Sequence, residues 1–134
     1  MKLITSIEEL EKLYEKAVPT SLTKVVHGIT PLYKQWIEVS RFFVLTTVGP
    51  EGCDSSPRGD KTSVVQIVGH KTIYIPDWRG NNRLDSLRNI IRDGRVSLMF
   101  MVPGCNNVVR INGTAEITTD NDISEIFQQS DKKQ

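Results

Sequence analysis

The stretch Phe42-Phe-Val-Leu-Thr-Thr-Val48, closed by Gly49-Pro-Glu-Gly52, constrains the fold more than any other part of the chain. A run of aromatic and β-branched residues followed at once by a turn reads as one arm of a β-hairpin. The segments after it repeat this grammar. Residues 53–56 are extended and break at Pro57-Arg-Gly-Asp60, because proline cannot donate to a ladder and glycine marks a bulge or a close backbone approach. Residues 63–68 and 72–75 are strands on either side of the Gly69-His70 turn. Residues 95–102 and 108–118 are strands on either side of Pro103-Gly104. The pattern predicts about six short strands, mostly antiparallel hairpin neighbours. That is a mainly β, barrel-type domain with flanking helices rather than a doubly wound sheet.

Helical spacing occurs elsewhere. Ser6-Ile-Glu-Glu9 is a capping box, after which Ile7, Leu10, Leu13 and Tyr14 repeat at helical intervals until Pro19. Thr30-Pro31 starts a second helix whose apolar face is Leu32, Trp36 and Val39. His27, between the two, reads as a polar loop residue and His70 as a solvated hairpin residue. A third helix is expected over residues 82–93. Leu84, Leu87, Ile90 and Ile91 would form its buried face, and Gly94 would end it. A short amphipathic helix over 123–127 precedes a polar tail. We expect a single domain over 1–134: helices in 1–40 packing on barrel strands in 41–118, then the short helix and tail in 119–134.

Composition excludes several classes. With 17 basic and 16 acidic residues the net charge is +1, so no global field recruits nucleic acid or anionic lipid. Apolar residues are 38% and charged ones 25%, which fits a folded chain rather than a disordered one. No apolar run approaches a membrane span, and the N-terminus lacks the apolar core of a signal peptide. The expectation is a cytoplasmic protein in which Cys53 and Cys105 are free thiols. Arg58-Gly59-Asp60 and Asn112-Gly113-Thr114 spell an adhesion tripeptide and a glycosylation acceptor. Both belong to extracellular proteins and are set aside.

Chemistry concentrates in two stretches. One is 58–63, where the second strand breaks. The other is 76–83, a loop leading to a helix start, where unpaired amides and the dipole suit a phosphate. Asn81 and Asn82 can cap that helix or donate to a ligand. Arg83 adds full charge and fork geometry, with Arg79 and Arg58 as further candidates. From Arg58 to Arg95 there are eight basic and four acidic residues, an excess of four against one for the whole chain. Arg88 and Arg92 read instead as a solvated helix face. There is no Gly-x-x-x-x-Gly-Lys-Ser/Thr loop, no Gly-x-Gly-x-x-Gly and no His-Glu-x-x-His. Only His27 and His70 are present, so a histidine-based triad is not expected. A cofactor that carries its own reactivity resolves the shortage of acid–base side chains.

Five strings carry a resemblance. Thr46-Thr-Val-Gly-Pro-Glu-Gly52, Ser55-Ser-Pro-Arg-Gly-Asp60, Ile75-Pro-Asp-Trp-Arg-Gly-Asn-Asn-Arg-Leu-Asp-Ser-Leu87, Val102-Pro-Gly104 and Arg110-Ile-Asn-Gly-Thr-Ala115 occur in this order. Together they resemble the pyridoxamine 5′-phosphate oxidase-like, FMN-binding split-barrel proteins, in particular a bacterial branch classed as FMN-dependent enzymes. The resemblance spans residues 31–120 and implies a six-stranded antiparallel split barrel. It further implies a homodimer with FMN in clefts between the subunits. Transferred residue by residue, Arg83 and Asn81 would hold the phosphate, with Asn82 at the helix start and Arg58 reaching in. Asp60 belongs to the same Pro-Arg-Gly-Asp string. Ser63 and Val64 would offer backbone groups along the isoalloxazine, and Pro76 and Asp77 would lie near the ribityl chain or ring edge. Lys61 and Gln66 are further contacts to consider. Relatives in this branch run past the position of Gln134. The substrate-binding arginine and histidine of the oxidase proper have no match here, so pyridoxamine phosphate is not an expected substrate.

The leading expectation is therefore an FMN-dependent oxidoreductase acting on a small molecule, with no metal site, no nucleic acid and no membrane. The alternative is a non-catalytic dimer that binds or senses a flavin or haem. A plain structural dimer is the third reading. The run over 96–102, apolar without polar alternation, reads as buried on both faces and as the dimer contact, the alternative being that the N-terminal helices cover it within one subunit.

Overall fold

A computed structural model describes residues 1–13, 27–77 and 84–119, and the structural statements below concern these residues. In chain order the elements are α1 (Ile7–Leu13), α2 (Pro31–Val39), β1 (Phe42–Gly49), β2 (Gly52–Gly59), β3 (Gln66–Val68), β4 (Thr72–Tyr74), α3 (Asp85–Arg92), β5 (Arg95–Met101) and β6 (Val108–Thr114). Four strands form one sheet in the order β2-β1-β5-β6, and β3 and β4 form a second. All the pairings are antiparallel. This is a split barrel of six strands with helices around it; the turn spacing predicts a barrel of about six strands, and the resemblance implies its split form.

The register decides what faces inward. Phe43, Leu45 and Thr47 on β1 lie opposite Phe100, Leu98 and Val96 on β5, which in turn face Val109, Ile111 and Gly113 on β6. Phe43 and Phe100 stack with ring centroids 5.0 Å apart. Ile37 from α2 and Val64, Val65 and Ile67 from the β3 side complete the core. A truncation such as Phe100→Ala in this cluster costs about 3–5 kcal/mol.

The caps follow the sequence. Glu9 N–H donates to Ser6 Oγ at 3.1 Å, and Glu9 Oε2 accepts from Thr5 N–H. Tyr33 N–H donates to Thr30 Oγ1 at 3.2 Å, with Pro31 opening the helix. At the other end of α2, buried Ser40 places Oγ 2.7 Å from Phe42 O and 2.8 Å from Met101 O, so its one proton ties the helix exit to β5 or to the start of β1. Gly94, with φ +84°, stops α3.

Four expectations are corrected. β2 runs unbroken through Pro57, which pairs with Val44. It is an edge strand, and an edge has an unpaired rim on which a missing donor is tolerated. β3 begins at Gln66 rather than 63. Before it, Ser63 Oγ donates to Val65 O at 3.0 Å, a local bond that competes with a ladder. β5 is not buried on both faces: Leu98 and Phe100 are buried while Ser97, Met99 and Met101 are half-buried. The largest correction concerns α3. Its fully buried residues are Ser86 and Asn89; of the expected face Leu87 and Ile90 are half-buried, whereas Ile91 is 77% exposed and Leu84, at the cap before the helix, 44% exposed. The expected helix over 123–127 lies outside the described residues, as does the segment 14–26 between α1 and α2.

Candidate functional site

Polar side chains explain how α3 sits. Asn89 Nδ2 donates to Thr47 Oγ1 at 3.1 Å in a buried contact. Ser86 Oγ donates to Asp54 Oδ2 at 2.8 Å. A Cβ on Gly49 would collide with the Asn89 carboxamide, so glycine there lets the helix approach the hairpin. Among the described residues no buried side-chain nitrogen or oxygen lacks a partner. Hydrogen-bonded polar groups thus take the most buried positions of the helix, with Leu87 and Ile90 half-buried beside them, and this costs little because those groups are satisfied.

The same seam leads to Arg58. Asp54, Ser56 and Arg58 alternate along β2 and face inward opposite Thr47, Leu45 and Phe43. Ser86 Oγ lies 3.4 Å from Ser56 Oγ, and Arg58 Nε approaches Ser56 Oγ at 3.5 Å, the limit of a hydrogen bond. Arg58 Nη1 donates to Asp77 Oδ1 at 2.9 Å. The row therefore runs Asp54, Ser86, Ser56, Arg58, Asp77, with one guanidinium between two carboxylates. The backbone under Arg58 is held by the β1–β2 ladder and, just beyond, by Asp60 N–H donating to Arg41 O at 3.0 Å. Gly59 permits this approach, since a Cβ there would sit 3.3 Å from Arg41 O.

Of the residues singled out in the sequence, Arg58 and Asp77 meet directly, and Pro76 adjoins Asp77 half-buried. Asp60 is half-buried, and its Oδ1 accepts from Lys61 N–H at 2.6 Å. Ser63 is exposed and Val64 is in the core, so Val64 can offer a ligand only backbone. Asp60, Ser63 and Val64 make their contacts away from the Arg58 guanidinium, which meets Ser56 and Asp77. Asn81, Asn82 and Arg83, with Arg79, lie outside the described residues. Sequence reasoning missed Asp54, Ser56 and Ser86. The signal was available for the first two, since they alternate with Arg58 at a strand's period of two. An open groove also flanks the seam, lined by Glu51, Cys53, Asp54, Asp85, Arg88 and Arg92. It includes neither Arg58 nor Asp77 and its charges are mixed. Arg92 there pairs with Glu51 at 3.2 Å. Both cysteines are free and exposed. Among the described residues no helix is long and apolar enough to cross a membrane.

One titration shift stands apart from this row. The Arg95 side chain donates to both Asp93 oxygens, at 2.6 and 2.8 Å. These bonds hold Asp93 at about 2, below the usual 3.8, and raise Arg95 in turn.

The family model of pyridoxamine 5′-phosphate oxidase matches residues 29–134, and the chain belongs to that family. The class is thus a split-barrel protein of a family that commonly binds flavin. Among solved structures, HupZ of Group A Streptococcus is similar at 23% identity and a TM-score of 0.59, covering 77% of this chain and 79% of that one. A histidine-to-alanine variant of HupZ is similar at 23% identity and a TM-score of 0.58, covering 77% and 84%. At that identity the likeness speaks for the fold. No curated protein sequence matches significantly.

Proposed function

We propose that this chain binds FMN at Arg58 and works as a flavin-dependent oxidoreductase on a small molecule. The observation that carries the reading is the Arg58–Asp77 contact across 19 residues of sequence. It joins one residue from each of the two stretches in which the sequence concentrates its candidate ligand groups, Arg58 from the first and Asp77 from the second. The donor chemistry fits a phosphate: a fork-shaped guanidinium on a rigid strand, with the hydroxyls of Ser56 and Ser86 alongside. Arg83, Asn81 and Asn82 complete the phosphate set in this reading. In this reading Asp60, Ser63 and the Val64 backbone meet the part of FMN that lies away from the phosphate, and Pro76 adjoins the Arg58–Asp77 pair. Bound FMN supplies the electron-accepting chemistry, and the chain binds, orients and shields it.

The reading includes a cytoplasmic homodimer. On the outer face of the large sheet the register aligns Phe42, Met101 and Val108, and next to them Val44, Met99 and Pro57. Phe42 and Val108 are exposed and Val44, Met99 and Met101 half-buried. A contiguous apolar patch of this kind marks an association surface.

The test is a titration followed by a reduction. Purified protein should bind FMN at least tenfold tighter than riboflavin, because only FMN offers a phosphate. Equal affinity would refute the phosphate site. Anaerobic reduction of the bound flavin by a nicotinamide donor supports an oxidoreductase. A bound flavin that no donor reduces favours a binding module instead.

A further inference from the structure

We propose that Asp77 is an internal competitor for ligand phosphate at this site: its carboxylate occupies the Arg58 guanidinium until a ligand phosphate displaces it, and so holds down phosphate affinity. The inference rests on the flavin-phosphate reading and deepens it. A carboxylate presents oxygens to a guanidinium much as a phosphate does. Asp77 therefore sits where a ligand phosphate would, with Oδ1 2.9 Å from Nη1. The two partners are unequally fixed. Arg58 belongs to the β1–β2 ladder and its side chain is only 24% exposed, while Asp77 follows β4 in irregular chain and its side chain is 49% exposed. The displaced partner is thus the carboxylate, which passes into water, and the arginine stays where β2 and Ser56 hold it.

Magnitudes favour the exchange. A half-exposed ion pair is worth no more than about fivefold in an equilibrium constant. A charge-assisted phosphate contact is worth about ten- to a hundredfold. A phosphorylated ligand displaces Asp77 with affinity to spare. A neutral ligand presents nothing to Arg58 and leaves the Arg58–Asp77 pair in place, so its affinity does not depend on Asp77. Asp77 also imposes a standing cost on phosphate, both by competition and by like-charge repulsion after release.

The experiment compares wild type, Asp77→Asn, Asp77→Glu, Arg58→Ala and Arg58→Ala/Asp77→Asn, each checked for an unchanged melting curve. Titration with FMN and riboflavin at low salt, followed by flavin fluorescence, reads the affinities. Asp77→Asn should bind FMN about two- to fivefold tighter, with riboflavin unchanged. Asp77→Glu, which keeps the charge, should stay at the wild-type value. In the Arg58→Ala background Asp77→Asn should change nothing. FMN binding unchanged or weakened by Asp77→Asn overturns the proposal, as does equal tightening of riboflavin or an effect that survives loss of Arg58. If wild type binds neither flavin, the flavin reading fails on its own. Inorganic phosphate followed by phosphorus NMR then decides Asp77 separately: tighter phosphate in Asp77→Asn upholds its role, and equal binding overturns it.

Discussion

Replacing Gly49 by Ala tests the seam that seats α3. Gly49 is a strand residue and does not have a left-handed φ, so alanine meets no backbone strain there. At such a site Gly→Ala ordinarily stabilises by about 0.4–1 kcal/mol through the unfolded state. Here the new methyl collides with the Asn89 carboxamide. Asn89 must withdraw, which breaks its 3.1 Å bond to Thr47 Oγ1 and leaves buried polar groups unpaired. That loss costs about 1–3 kcal/mol. The net is a destabilisation of about 0.5–2 kcal/mol, or roughly 2–10 °C in Tm at this chain length. Asn89→Ala alone should cost about 1–3 kcal/mol by the same bond. The decisive variant is the double one. With Asn89 truncated the methyl has room, so Gly49→Ala should become stabilising by about 0.4–1 kcal/mol. Urea unfolding of the four proteins with a shared m-value measures the cycle, and contacting residues couple on this scale. Equal destabilisation by Gly49→Ala in both backgrounds would locate the problem in the backbone and refute the seam.

Other expectations follow from the site and its surroundings. Arg58→Ala and Arg83→Ala should each weaken FMN by about ten- to a hundredfold while leaving riboflavin unchanged, because a charge-assisted contact is lost. Arg92→Ala should leave FMN affinity alone, since Arg92 pairs with Glu51; equilibrium dialysis compares all three. Met101→Lys places a charge in the apolar patch of the outer sheet face. It should shift the sedimentation coefficient from dimer to monomer and weaken FMN in parallel. The Asp93 carboxyl is held at about 2 against an ordinary 3.8, so its stabilisation is present above the ordinary value and is lost as pH falls through about 2. Asp93→Asn should therefore lower Tm at pH 5–7, and the gap to wild type should close as pH approaches 2.

The strands were legible because their residues obey a period that packing then uses. Phe43 and Leu45, and Leu98 and Phe100, alternate in sequence and all four face the core. Caps were legible for the same local reason, as at Ser6 and Thr30. The failures share a cause of another kind. Pro57 counts as a breaker only if its strand is central, and edge position is a property of the assembled sheet. The face of α3 was misjudged because apolar periodicity assumes an apolar partner surface. The hairpin instead presents Thr47 and Asp54, and Asn89 and Ser86 meet them. In the candidate site, Arg58 and Asp77 could be read from composition and motif. Their contact could not, since it depends on how β2 and the end of β4 come together.

That contact also shows why the candidate residues can gather at this edge of the barrel. Three strands line the interior with Phe43 and Leu45, Leu98 and Phe100, Val109 and Ile111. The fourth, β2, keeps the same alternation but points Asp54, Ser56 and Arg58 inward. Buried among those apolar side chains, such groups would cost several kcal/mol each. At the edge strand they are tolerated because α3 brings Ser86 to Asp54 and the chain after β4 brings Asp77 to Arg58. The apolar core therefore ends along β2, and a row of satisfied polar groups begins there. A ligand that enters at this edge can exchange one surface carboxylate for its own anion without opening the core. The division is written in the inward residues of two paired strands: Phe, Leu and Thr on β1, and Arg, Ser and Asp opposite them on β2.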